Sequence, residues 1–132
     1  MTLLLLDTTF LIDAERGEAQ LDDVIDDGDD VAIAAITVAE LFLGVRLASG
    51  RRRAQRQRYV DDVCEVIPIL TYDRIVAAAH ADLLVAVRQA GRPRGAHDLI
   101  IAATARASKR TVVSADLAAF ADLPGVATID HR

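Results

Sequence analysis

Four carboxylates stand out by what precedes each of them. Asp7 follows an uninterrupted run of four leucines, residues 3–6, and Glu40 closes the segment that begins with the apolar run 31–36 and Thr37. Asp98 follows the loop Gly91-Arg92-Pro93-Arg94-Gly95, and Asp116 follows the short run Thr111-Val112-Val113 and Ser114. Singly, each has an ordinary explanation. Acids in the first turn of a helix are favoured by the helix dipole, and Glu40, three residues after Thr37, matches a capping box. Jointly they suggest more, because parallel connections bring the carboxyl ends of different strands to one edge of a sheet, where ligands bind. Carboxylates gathered there repel one another, and keeping them ionised requires a cation. An all-oxygen donor set that retains waters suits Mg²⁺ or Mn²⁺. Such an ion can orient and activate water for attack on a phosphodiester.

The elements that would position these acids follow from the apolar pattern. Residues 3–6 read as a strand buried on both faces, and Thr8 is placed to cap a helix carrying Phe10, Leu11 and Ile12, with Gly17 as its stop. Leu21, Val24 and Ile25 have helical spacing, and the cluster Asp26-Asp27-Gly28-Asp29-Asp30 reads as a solvated turn, since it lacks the spacing and terminal Glu of a calcium loop. A second strand spans residues 31–36, and a helix follows from Thr37 to about Ser49. The arginine-rich stretch 51–58 leads into another helix, and residues 65–70, with Pro68, suggest an edge strand or extended link. Thr71 is placed to cap a helix over residues 72–90 with the stripe Ile75, Val76, Ala79, Leu83 and Val87, ended by Gly91. A helix follows from Asp98 to about Ser108, then a strand at 111–113, a helical turn at 117–120 and a last strand at 127–129. The alternation predicts a three-layer α/β domain with a mainly parallel sheet flanked by helices, one domain spanning residues 1–132.

Bulk properties agree. The 132 residues are 52% hydrophobic and 27% charged, a globular composition large enough for its own core. A single cysteine, Cys64, excludes an intrachain disulfide framework and a thiolate metal site by count. No leader pattern or membrane-length apolar run is present, so a cytoplasmic protein is expected. The net charge of −5 argues against generic nucleic-acid binding, but charge is unevenly distributed. Acid is dense at residues 22–30 and base at 51–58.

With these residues in view, the chain resembles a known family. The segments Asp7-Thr8-Thr9-Phe10-Leu11-Ile12, Thr37-Val38-Ala39-Glu40-Leu41, Asp98-Leu99-Ile100-Ile101-Ala102-Ala103-Thr104-Ala105 and Val113-Ser114-Ala115-Asp116-Leu117-Ala118-Ala119-Phe120 are similar, in order, to those of PIN domains of the VapC toxin type. The resemblance implies a divalent-metal-dependent endoribonuclease, the toxin of a type II toxin–antitoxin pair. Asp7, Glu40, Asp98 and Asp116 would hold Mg²⁺ or Mn²⁺ for RNA cleavage, with Thr8 and Ser114 supporting. The family often carries Thr at the position of Ser114, and the hydroxyl is retained here. It also implies a homodimer, and a heterotetramer or larger assembly with a small VapB-type antitoxin.

Other residues have chemistry of their own. Arg51, Arg52 and Arg56 could follow an RNA backbone or form an exposed helix face, and Arg92 and Arg94 lie on the loop that leads to Asp98. His97 adjoins Asp98, but sequence neighbours do not share a helix face. Asp13 reads as a solvated helix-surface acid, and the three histidines do not make a zinc site, since His80 lies on a packed helix and His131 is terminal. An aspartyl-phosphatase would carry a second acid where Thr9 stands. A phospho-receiver module would need acids beside its phosphorylated Asp and a lysine ending a strand, whereas Lys109 precedes one. A silent PIN-like RNA binder would not need its acids intact.

Overall fold

The computed structural model describes residues 2–17 and 26–131. A five-stranded, wholly parallel sheet lies between two layers of helices. Its strands are β1 (Leu3–Leu6), β2 (Asp30–Ala34), β3 (Ile69–Leu70), β4 (Thr111–Ser114) and β5 (Thr128–Asp130), in the order β3-β2-β1-β4-β5. The helices are α1 (Thr8–Glu15), α2 (Ala35–Leu47), α3 (Gly50–Val66), α4 (Arg74–Ala90) and α5 (Ala96–Ser108), with one 3₁₀ turn at Leu117–Ala119.

β1 is the central strand, pairing with β2 on one side (Leu5↔Ala32) and β4 on the other (Leu5↔Val112). Alternation along it explains the four leucines. Leu5 points into the core made with α4 and α5, among Val76, Leu83, Leu99 and Ile101. Leu4 and Leu6 point into the opposite core, made with α1, α2 and α3 by Phe10, Leu11, Leu41 and Val60. All three are at most 1% exposed, and each burial is worth about 1.5–3 kcal/mol. On the other side, α4 and α5 pack closely through small residues including Ala79, Ala102, Ala103 and Ala105.

The chain leaves β1 towards β2 on one side and later returns to β4 on the other. The carboxyl end of β1 is therefore the point where strand order reverses, the crevice position of an open parallel sheet. Three connections there are short. Asp7 links β1 directly to α1, β2 passes into α2 without an intervening residue, and Ala115 and Asp116 lead from β4 to the 3₁₀ turn.

Several expected boundaries move for local reasons. Asp7, not Thr8, is the N-cap of α1; its extended backbone (φ −75°, ψ 157°) lets its own carboxylate accept the Thr8 N–H. α2 begins at Ala35, so Thr37 lies inside the helix and makes no capping box with Glu40. α3 begins at Gly50 and contains all five arginines of the 51–58 stretch. Asp73 rather than Thr71 caps α4, accepting the Val76 N–H at 3.0 Å. Gly91 ends α4 at φ +64°, the left-handed conformation a glycine accommodates without a Cβ clash. The helical spacing at Leu21, Val24 and Ile25 lies outside the described residues. Among the described residues, no helix is long and apolar enough to cross a membrane.

Candidate active site

Asp7 is 2% exposed, yet it is a well-partnered carboxylate. Its Oδ1 accepts the Thr8 N–H at 2.7 Å. Its Oδ2 accepts two hydroxyls, Ser114 at 2.7 Å and Thr9 at 2.9 Å. Each hydroxyl accepts in turn from the β4 connection: Ser114 Oγ from the Asp116 N–H at 2.9 Å, and Thr9 Oγ1 from the Ala115 N–H at 3.2 Å. Three donors offset the cost of burying the charge, and the same bonds fix the backbone that carries Asp116.

Thr8 serves the opposite flank. Its hydroxyl donates to Glu40 Oε1 at 2.8 Å and lies 3.2 Å from the Thr37 hydroxyl, which is fully buried. The helix position of Thr37 is what brings it there. Glu40 Oε2 lies 3.6 Å from His97 Nδ1, so an imidazole that shares no face with Asp98 instead reaches across to α2.

Asp98 stands in the first turn of α5. Its carboxyl is pushed above the ordinary aspartate range, chiefly by burial and then by the charges of Asp7, Asp116 and Glu40, with His97 acting in the opposite direction. The three other acids therefore all act on Asp98 electrostatically. Gly95, the N-cap of α5, leaves room for the Asp98 side chain; a Cβ at Gly95 would stand 2.8 Å from Asp98 Oδ2.

The four acids thus face a common region at the carboxyl edge of the sheet, supported by Thr8 and Ser114. Among the described residues, no three His, Cys, Asp or Glu side chains stand close enough together to enclose a metal ion as they are. The donor chemistry nonetheless fits a hard divalent cation: every candidate ligand is a carboxylate oxygen, and the charge repulsion felt by Asp98 is what a cation would relieve.

The arginines divide by what they already hold. Arg94 donates to the carbonyls of Ala119 and Ala121 at 3.1 and 2.6 Å, so it ties the loop before α5 to the 3₁₀ turn. Arg92 keeps a largely exposed guanidinium, 3.9 Å from Asp122. Arg51 is exposed on α3, whereas Arg52 and Arg56 line a cavity of about 280 Å³ that also reaches Glu40. Arg56 donates to Gly44 O at 3.0 Å across that cavity's wall.

Two assignments read from sequence change. Asp13 is not a solvated surface acid: it is 5% exposed and paired with His131. Thr9 and Thr37, absent from the expected supporting set, are part of the hydrogen-bond frame. Thr9 was legible as the second residue after Asp7, but only the approach of β4 shows which way its hydroxyl turns.

Comparison with known proteins shows the family and the fold. A PIN domain family model matches residues 4–126. The chain is 34% identical over 128 residues to Toxin FitB of Neisseria gonorrhoeae, covering 89% of this chain and 91% of that protein. It is 35% identical over 126 residues to Ribonuclease VapC5 of Mycobacterium tuberculosis, covering 95% and 90%. The crystal structure of VapBC-5 from Mycobacterium tuberculosis, a member of the VapBC family of toxin–antitoxin systems, superposes with a TM-score of 0.81 at 31% identity, covering 98% and 99%.

Proposed function

The chain belongs to the PIN-domain family, and from that membership we propose that it is the endoribonuclease toxin of a VapBC-type toxin–antitoxin pair. The observation that carries the proposal is the hydrogen-bonded carboxylate set at the carboxyl edge of the sheet: Ser114 and Thr9 hold Asp7, Ser114 Oγ holds the Asp116 N–H, Thr8 holds Glu40, and Asp98 lies within reach of their charges. The unit is the single PIN domain over residues 1–132, working as a homodimer and restrained by a small antitoxin in a heterotetramer or larger assembly. A reducing cytoplasm suits its one free cysteine.

Asp7, Glu40, Asp98 and Asp116 would hold Mg²⁺ or Mn²⁺. Bound there, such an ion supplies Lewis-acid stabilisation for attack of water on an RNA phosphodiester. The chain's own residues prepare the site. Ser114 and Thr9 fix Asp7 Oδ2, Thr8 fixes Glu40 Oε1, and Gly95 gives Asp98 its space. Holding ligands in place before the reaction removes reorganisation from the barrier. Exposed Arg51, Arg52 and Arg92 are available to phosphates; Arg56 and Arg94 contribute mainly by holding Gly44, Ala119 and Ala121.

The test uses purified, antitoxin-free protein and structured RNA. Cleavage is expected that EDTA abolishes and Mg²⁺ or Mn²⁺ restores, and that Asp7→Asn and Asp98→Asn each lose. Cleavage persisting in EDTA, or in either variant, would overturn the metal-carboxylate reading. Co-purification with the product of an adjacent small gene tests the toxin reading: absence of binding and inhibition would remove the antitoxin while leaving the nuclease.

A further inference from the structure

Asp13 and His131 form an ionisable pair away from the acidic cluster. His131 Nε2 lies 2.9 Å from Asp13 Oδ2, and their side chains are 0% and 8% exposed. The imidazole stacks edge-on against Phe10, with ring centroids 4.8 Å apart at 77°. Burying such a pair is costly, and a purely apolar contact of similar volume is often as stable or more so. A reason for the pair lies in what its two ends hold.

Asp13 lies on α1, six residues after Asp7, the N-cap of that helix. His131 follows β5, whose Asp130 is paired in register with Ser114. The His131 backbone N–H donates to the Ser114 carbonyl at 3.4 Å. Ser114 Oγ returns to Asp7 Oδ2. The contacts therefore close a ring: Asp7, the body of α1, Asp13, His131, Ser114 and back to Asp7. Every link but the helix is a hydrogen bond or ion pair, and the helix is rigid over this length.

We propose that Asp13 and His131 are positioning residues that set the angle of α1 against β4 and so hold Asp7 at its site. The pair acts through Asp7 and Ser114, and its consequence for chemistry rests on the metal-carboxylate reading above. Neither residue touches the reacting region. Losing the pair leaves α1 anchored through Phe10, Leu11 and the Tyr59 hydroxyl on the Leu11 carbonyl, so the variant folds with its first turn less well fixed.

Two readouts separate the possibilities. The Thr8 amide proton, bonded to Asp7 Oδ1 at 2.7 Å, reports the placement of Asp7 by NMR without any metal. Mn²⁺ affinity, measured by electron paramagnetic resonance well below the melting temperature, reports the site. Asp13→Ala and His131→Phe are expected to shift the Thr8 amide proton upfield and to weaken Mn²⁺ binding roughly tenfold. Asp13→Asn, whose amide oxygen can accept the same imidazole N–H, is expected to return the Thr8 resonance to its parent position and to keep Mn²⁺ affinity within about threefold of the parent. A lower melting temperature with an unmoved Thr8 resonance and unchanged Mn²⁺ affinity would overturn the proposal. So would Asp13→Asn losing as much as Asp13→Ala. If the parent protein binds no Mn²⁺ while the Thr8 resonance still moves in both variants, the metal reading fails and the positioning role stands.

Discussion

Replacing Ser114 by alanine removes one oxygen that serves Asp7 and Asp116 and lies 3.3 Å from the Thr9 hydroxyl. The side chain is fully buried, so no water replaces it directly. Its bond to the Asp7 carboxylate, at 2.7 Å, is a hydrogen bond to a charged group and is worth about 1.5–3 kcal/mol. The Asp116 N–H also loses its acceptor at 2.9 Å; that bond is part-buried and neutral, so it adds a smaller share. A net cost of about 2–3 kcal/mol follows. With an unfolding entropy near 0.28 kcal/mol/K for a chain of this length, the melting temperature should fall by roughly 7–11 °C. The functional effect is separate: a carboxylate ligand that loses an orienting partner commonly loses about 10–100-fold in metal affinity or activity. Melting by circular dichroism and Mn²⁺ titration by calorimetry measure the two effects on one sample. Ser114→Thr provides the control, since it keeps the hydroxyl and adds a methyl group to a packed position. It should cost some stability, about 1 kcal/mol or more, yet retain Mn²⁺ affinity within about threefold, because the bond to Asp7 is retained. The reasoning is refuted if Ser114→Ala binds Mn²⁺ as the parent does, or if alanine and threonine lose affinity equally.

Two further perturbations address Asp98. Gly95→Ala leaves the backbone unstrained, since φ is −59°, but its Cβ would meet Asp98 Oδ2 at 2.8 Å. The carboxylate must turn away, so RNA cleavage should drop by about 10–100-fold while the melting temperature moves by only a few degrees; cleavage at the parent rate would show that Asp98 does not need that placement. The second concerns pH. The raised proton affinity of Asp98 in the fold means that its contribution to stability is complete below the ordinary aspartate value of 3.8 and is lost as pH rises through the folded value. Asp98→Asn should therefore melt higher than the parent at pH 7 in EDTA, the advantage shrinking towards pH 3.5. Saturating Mn²⁺ should reverse the order at pH 7. A metal-free Asn variant that melts below the parent at pH 7 would contradict the electrostatic account.

Which parts were legible in the sequence follows from the range of each signal. The leucine run and Gly91 are local patterns, and they give a buried strand and a stop as observed; of the stripe on α4, Val76, Ala79 and Leu83 are buried, whereas Ile75 is 68% exposed. The acids Asp7, Glu40, Asp98 and Asp116 stand out in the sequence because each follows a strand or a tight loop. The hydroxyl frame was less visible. Thr37 reads locally as a cap, but β2 enters α2 without a loop, which moves the helix start two residues earlier and turns the threonine into a partner of Thr8. Asp13 reads as solvated because its partner, His131, is 118 residues away. Contacts of that span leave no local pattern in the sequence.

The long reach of the Asp7 frame bears on how the protein is made. Ser114, the hydroxyl that holds Asp7, is synthesised 107 residues after it. β1 also lacks its β4 neighbour until residues 111–113 can pair with Leu4–Leu6. Over that whole interval the growing polypeptide carries the carboxylate without the strand that aims it. The frame around Asp7 is therefore a late product of folding, closed only once β4 has been made and has docked.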